Sequence, residues 1–235
     1  MLEDHDFLQW VRGATSKDIT QRDVELAGDV RGIQLFLYSI ARVLRAAKIL
    51  EVGTADGSTT LPLLKAAEEN DGFVTSIDPS NCEDAHRLVT SLGYDNIWKH
   101  HQKLSKDFYT ELKNEDVFDL AFIDGDHTAV GVSIDLINVI PRLRPGGFCI
   151  LHDWNRAEKS LIGVDLKKVN GNDVAAAVCN ILPKFKPLVA FPLCPDLFWH
   201  MENKEGTNQA EGRVLVIVKP SDINEHNVLC SLGIY

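Results

Sequence analysis

Apolar positions recur with a helical period from Ile33 to Ala47, where Ile33, Phe36, Leu37, Ile40, Val43 and Leu44 fall on one face. The pattern then changes. Lys48–Gly53 is a short apolar run ending in glycine, which reads as a buried strand. Helical spacing returns over residues 58–68, and Phe73–Asp78 reads as a second strand closed by Asp78-Pro79. Further along, 82–92 suits a helix, 96–100 a short strand, 105–113 a helix, and Phe118–Asp124 a strongly apolar strand. A helix carrying Ile134, Leu136, Ile137 and Ile140 is expected to stop near Pro141. Pro145-Gly146-Gly147 predicts the turn into the strand Phe148–Leu151, and residues 173–183 read as a helix capped by Asn172 or Asp173. Two further strand candidates, 188–201 and 213–218, lack a convincing helix between them, so an antiparallel pair at the sheet edge is the economical reading.

Strands that alternate with helices and are apolar nearly throughout are covered on both faces. The expected fold is therefore α/β: a Rossmann-like, doubly wound, mostly parallel sheet with helices on both faces and an antiparallel C-terminal edge strand. The polar residues 1–30 are expected to form a helical or irregular segment, and residues 31–235 the ligand-binding domain. At 235 residues this is the size of one ordinary domain or a tight pair.

Composition narrows the function. The formal charge is −10, from 34 acidic and 24 basic residues, and no Lys/Arg run appears, so neither a nucleic-acid partner nor a polyanionic substrate is expected. No apolar stretch approaches the ~18 residues of a membrane span, and the acidic start Met1–Asp6 is unlike a secretory leader. A cytoplasmic protein with no membrane partner follows as the expectation. Cys82, Cys149, Cys179, Cys194 and Cys230 are widely separated, with no C-x-x-C pair, which suits reduced thiols.

Ligands of such sheets sit beyond the carboxyl ends of the strands, near the point where strand order reverses. After the first strand the chain reads Glu51-Val52-Gly53-Thr54-Ala55-Asp56-Gly57-Ser58. Its glycines permit a sharp turn and a close approach to a ligand. Ala55 stands where a dinucleotide loop has its middle glycine, and the carboxylates of Glu51 and Asp56 would repel a pyrophosphate but favour an ammonium or sulfonium group. Asp78, one βα unit on, is placed to accept the two hydroxyls of a ribose. Together these predict an adenosine-containing, cationic ligand.

Two more clusters end strands: Asp124-Gly125-Asp126-His127 and His152-Asp153-Trp154. Asp124 and Asp153 can share a divalent cation (magnesium, calcium or manganese), with Asp126 or His152 as a further ligand. His127, with an ordinary pKa of about 6.5, suits a general base near neutrality.

The ordered set Leu50–Ser58, Val74–Asp78, Asp119–His127 and Leu143–Phe148 resembles the class I S-adenosylmethionine-dependent methyltransferases over about residues 30–220. Within them it is similar to the small-molecule O-methyltransferases of the catechol, caffeoyl-coenzyme A and macrolide-sugar types. The resemblance implies that S-adenosyl-L-methionine is lined by Glu51, Gly53, Thr54, Ala55, Gly57 and Ser58, by Asp78 and Pro79, and by Asp124. It implies metal ligation by Asp124, Asp153 and His152, the last standing where relatives often carry an acid, and His127 as catalytic base. The resemblance places the adenine near Gln102-Lys103 and Ser105, where this chain departs from the small or acidic residue of many relatives. It makes residues 1–30 the segment that covers the substrate, and Trp154, with Trp199 or Phe198, would either wall the acceptor or serve in ordinary packing. The implied reaction is methyl transfer to a hydroxyl of a small molecule, and a homodimer through the N-terminal helices is compatible with it. Two alternatives are a cofactor-binding module without turnover and an NAD-dependent oxidoreductase, the latter opposed by Ala55 and Asp56.

Overall fold

The computed structural model describes residues 31–154, 173–185, 188–193 and 214–220. The elements run α1 (Arg31–Val43), β1 (Lys48–Val52), α2 (Thr60–Glu69), β2 (Phe73–Asp78), α3 (Glu83–Leu92), β3 (Trp98–Gln102), α4 (Ser105–Tyr109), β4 (Phe118–Ile123), α5 (Ala129–Arg142), β5 (Leu143–His152), α6 (Asp173–Ile181), β6 (Val189–Leu193) and β7 (Val214–Val218). The seven strands form one sheet in the order β3-β2-β1-β4-β5-β7-β6. The strands β1 to β5 pair in parallel, and β7 is antiparallel to both β5 and β6. The expected antiparallel pair is thus present: β6 takes the edge, and β7 lies between it and β5.

Each strand supplies both faces, as near-continuous apolar runs must. On one face Ile49, Val74, Phe122 and Ile150 pack with Ile33, Leu37 and Ala41 of α1, Leu61 and Leu64 of α2, and Ala85 and Val89 of α3. On the other, Leu50, Ile77, Ala121, Cys149 and Leu151 meet Phe108 and Tyr109 of α4, Leu136 and Val139 of α5, and Val178 and Ile181 of α6. The β1–β2 and β1–β4 pairings on either side of β1 make the reversal of strand order, so the crevice between the loops after β1 and β4 opens at their carboxyl ends.

Local differences from the sequence pattern have physical reasons. The β5 strand begins at Leu143, before the expected glycine turn, because Pro145-Gly146-Gly147 is absorbed in an irregularity of the β4–β5 ladder. Gly146 donates there to Lys219 O at 2.7 Å, and Lys219 donates to Gly147 O at 3.0 Å. The α4 helix stops at Tyr109, well short of residue 113. At the amino ends, the Asp119 carboxylate accepts from Ala47 N at 2.8 Å, Lys48 N at 2.7 Å and the Arg144 guanidinium, tying three strand entries together. No helix of the described residues is long and apolar enough to cross a membrane. Residues 1–30, Trp199 and Phe198 lie outside the described residues.

Candidate functional site

The loop after β1 is shaped by backbone crowding. Gly53 has φ +95°, and a Cβ on it would lie 2.1 Å from the carbonyl oxygen of Asp124. Only glycine lets β1 turn that closely past the end of β4. Gly57, at φ +87°, abuts Ala85 of α3 with the same consequence. Ala55 stands between them at φ +47°, a left-handed conformation held by a side chain that disfavours it. The glycine loop and the end of β4 are therefore in direct backbone contact.

Asp78 is bound to this loop. Its Oδ2 accepts from Thr54 N at 3.0 Å and Ala55 N at 3.1 Å, and its Oδ1 from Ser80 N at 2.8 Å. Burial raises its pKa, but the backbone donors of Ser80, Ala55 and Thr54 outweigh burial and hold the carboxyl below the ordinary value. It is thus a fixed carboxylate at the lip of the crevice. Pro79 beside it is exposed, and Ser58 is held from behind, its carbonyl accepting from Gln34 Nε2 of α1 at 2.8 Å.

Glu51 corrects the expectation of a ligand contact. It is fully enclosed, and its carboxylate accepts from Thr59 Oγ1 at 2.8 Å, Thr60 Oγ1 at 2.7 Å and Ser76 Oγ at 2.6 Å. Ser76 in turn accepts from Trp98 Nε1 at 2.8 Å. Burial pushes the Glu51 carboxyl up to about 7 against the pull of the three hydroxyls. Glu51 braces the loop from beneath. Asp56 turns back to accept from Ser58 N at 3.0 Å, so no pair of carboxylates flanks a cation at this loop.

The ends of β4 and β5 bring four chemical groups together. Asp124 Oδ1 lies 3.1 Å from His127 Nε2 and 2.9 Å from His152 Nδ1. His127 Nδ1 is 3.7 Å from Asp153 Oδ2, and His152 Nδ1 is 3.7 Å from Asp153 Oδ1. His152 and Asp153 are buried, whereas the His127 side chain is 39% exposed and faces the opening. Hydrogen bonding to Asp124 raises the His127 pKa above its usual value despite partial burial. Burial raises that of Asp124, but the two imidazoles reverse the effect and keep it low. Asp153 sits at φ +50°, a second strained residue at the crevice.

The donor set fits a divalent cation. One ligand atom from each of Asp124, His152 and Asp153 lies within 4.8 Å of the others. Two carboxylates and an imidazole suit magnesium, or manganese more comfortably. Asp126 is excluded by its role in the loop: it accepts from Thr128 N at 2.9 Å and packs against Gly131. Trp154 lies in the core rather than on an acceptor wall. Ser105 opens α4 and bonds to the buried Asp135. Sequence reading missed the braces Thr59, Thr60, Ser76 and Gln34, because a hydroxyl or amide carries no pattern until its partner is placed.

Residues 50–154 match a family described as a methyltransferase domain. No curated protein matches. Among solved structures, the chain is similar to the O-methyltransferase TomG from Streptomyces achromogenes involved in tomaymycin synthesis, in complex with SAM, at 14% identity and TM-score 0.62, covering 94% of this chain and 100% of that one. It is similar to the O-methyltransferase from Bacillus cereus in complex with SAH at 16% identity and TM-score 0.61, over 91% and 88% of the two chains. A third, the SAH-bound methyltransferase PaMTH1 of Podospora anserina, gives 14% identity and TM-score 0.59 over 94% and 98%. At these identities the likeness establishes the fold.

Proposed function

We propose that this chain, whose residues 50–154 match a family described as a methyltransferase domain, uses S-adenosylmethionine to methylate a hydroxyl of a small molecule. The observation that carries the reading is the contact of Gly53 with the Asp124 carbonyl. It sets a loop suited to the donor directly against a cluster of acids and imidazoles suited to the acceptor. The donor-side contacts of the reading are Gly53, Thr54, Ala55, Gly57 and Ser58, with Asp78 and Pro79 for the ribose and Asp124 beyond the loop.

The donor, when bound, supplies an electrophilic methyl group on a sulfonium. The chain's task is then orientation and proton removal. A hydroxyl approaching from the β4–β5 side would be held in line with the methyl–sulfur bond, which is catalysis by proximity. His127 is the half-exposed base of the cluster. Asp124 bonds one of its ring nitrogens, and Asp153 stands near the other. An imidazole so placed can take the hydroxyl proton and hold it as imidazolium between two carboxylates. Asp124, Asp153 and His152 would hold a divalent cation, which lowers the pKa of a bound hydroxyl. Asp153 and His152 are buried, and a site whose rear is so shielded from bulk water favours the neutralisation of charge between oxygen and sulfonium.

Calorimetry tests the donor: saturable binding of S-adenosylmethionine and its demethylated product is expected, and absence of heat with both ends the reading. For the acceptor side, a panel of phenols, sugars and polyketide alcohols is assayed with and without chelator. His127→Asn is expected to lower kcat by about 10²–10⁴ while donor affinity stays unchanged. Equal turnover by the variant would remove His127 as the base, and full turnover in excess chelator would remove the metal.

A further inference from the structure

The sheet face that carries α4, α5 and α6 is unevenly covered. Among the described residues it has over β2 and β3 only α4, a helix of five residues and so about 7.5 Å long. The six-residue β2 runs about 20 Å. Phe108 and Tyr109 of α4 pack with Ile77 toward the carboxyl end of β2. The described residues leave the amino half open as a cavity of about 450 Å³, within the ordinary range of small-molecule sites.

Strand register builds its floor. Lys48 pairs with Phe73, and Thr75 pairs with Lys99. With His101, these side chains alternate onto one face of three adjacent strands. Phe108, Leu112, Val117 and Phe118 add the apolar part of its lining. Lys48, Phe73 and Phe118 are the first residues of strands that end in Val52, Asp78 and Ile123. The cavity therefore lies at the opposite end of the sheet from the crevice.

Its lining carries two lysines, Lys48 and Lys99, and two acids, Glu111 and Asp116; only the pairing of one acid with a lysine outside the lining leaves two ammonium groups against the single carboxylate of Asp116. Glu111 is paired with Lys103 at 2.6 Å. Asp116 accepts from Lys113 N at 2.8 Å. Among the described residues neither Lys48 nor Lys99 forms an ion pair. The His101 ring meets Phe108 edge-on, with centroids 4.7 Å apart. Burial, with Lys99 and Lys103 nearby, holds this imidazole below its ordinary pKa, so at neutral pH it is an uncharged hydrogen-bonding wall. Among the described residues, two lysines and one carboxylate without an ion pair thus line the cavity together with three phenyl rings, a locally positive excess in a chain of net charge −10. Phe73 and Val117, each 38% exposed, turn apolar surface into the same opening.

We propose that this cavity is a second binding site, for a small organic anion: a carboxylate on an aromatic body of one or two rings. The carboxylate would lie between Lys48 and Lys99, and the rings against Phe73, Phe108 and Phe118. The lysines supply the attraction, and the phenyl rings take apolar surface from water. The proposal stands independently of the methyl-transfer reading.

The test is calorimetric titration of 1-naphthoate into the full-length chain at neutral pH and low salt, with circular dichroism reporting the fold of each variant. Saturable binding of one equivalent is expected. The affinity should fall about tenfold or more in Lys48→Gln/Lys99→Gln, as loss of charged hydrogen bonds implies. A similar loss is expected in Thr75→Phe, which fills the floor without altering charge, and for the neutral 1-naphthamide on the wild-type chain. In the wild-type complex, NMR contacts should connect the naphthoate ring to Phe73, Phe108 or Phe118. No saturable binding at millimolar naphthoate, unchanged affinity in folded variants, equal binding of the amide, or NMR contacts only elsewhere would overturn the proposal.

Discussion

At Gly53 a single missing carbon decides whether two strand ends can meet. A methyl there would lie 2.1 Å from the Asp124 carbonyl oxygen, on a backbone with φ +95°. Neither neighbour is a flexible tip that can move aside. Gly53→Ala is expected to cost about 2–4 kcal/mol from the clash and the left-handed strain together, and to abolish donor binding. Thermal unfolding should show a fall in Tm of several degrees, with loss of calorimetric heat for the demethylated donor. Ala55 is the opposite case. At φ +47° it bears a left-handed conformation with a side chain, so Ala55→Gly should relieve about 1 kcal/mol of strain. Its greater unfolded-state freedom offsets part of that gain, and a small rise or no change in Tm is expected. A clear fall would mean that the Ala55 methyl makes a contact worth more than the strain.

At the level of elements, the short α4 is held to α5 by a buried polar link. Tyr109 OH donates to Asp135 Oδ1 at 3.0 Å, and Asp135 is fully buried. Burial drives the tyrosine pKa well up and the Asp135 carboxyl up to about 6. Tyr109→Phe removes the donor and leaves a buried acceptor poorly satisfied, at a cost of about 1–3 kcal/mol. Replacing both partners, Tyr109→Phe with Asp135→Leu, should recover part of that loss, since an apolar pair has nothing left to satisfy. Denaturant melts of the two single variants and the double variant measure the coupling. Strictly additive losses would show that the link does not join the helices energetically.

For the whole molecule, buried acids set the direction of pH dependence. Glu51 is pushed up to about 7 and Asp135 to about 6, burial being the largest cause in both. Unfolded carboxyls titrate near 4, so the native state binds the extra protons. The stability this confers is complete below about pH 4 and is lost as pH rises through about 6 and 7. Asp78 and Asp124, held low by their donors, act in reverse and lose their contribution as pH falls through the acid range. Greatest stability is therefore expected at mildly acidic pH, declining toward pH 8 by on the order of 1–3 kcal/mol. Glu51→Gln should flatten that decline in a series of thermal melts. An unaltered slope would mean that Glu51 keeps one protonation state across the range.

Alternating apolar runs and helical spacing placed nearly every described strand and helix to within a few residues. They reflect a local requirement: each segment must turn its own apolar side chains inward, whatever it packs against. That the glycine loop, Asp78 and the two acid–imidazole pairs stand at strand ends was legible for a related reason. Ligand-facing residues of a parallel sheet must follow strand ends, and strand ends can be read along the chain. Glu51 and Asp56 were misjudged because charge is visible in a sequence, whereas enclosure by Thr59, Thr60 and Ser76, or a turn back to Ser58, is a matter of three-dimensional neighbours. The same holds for the β5 irregularity, the early stop of α4 and the lysine-lined cavity beneath it. Each depends on which distant segments meet across the sheet, and hydrogen-bond satisfaction and packing are settled only when those segments come together.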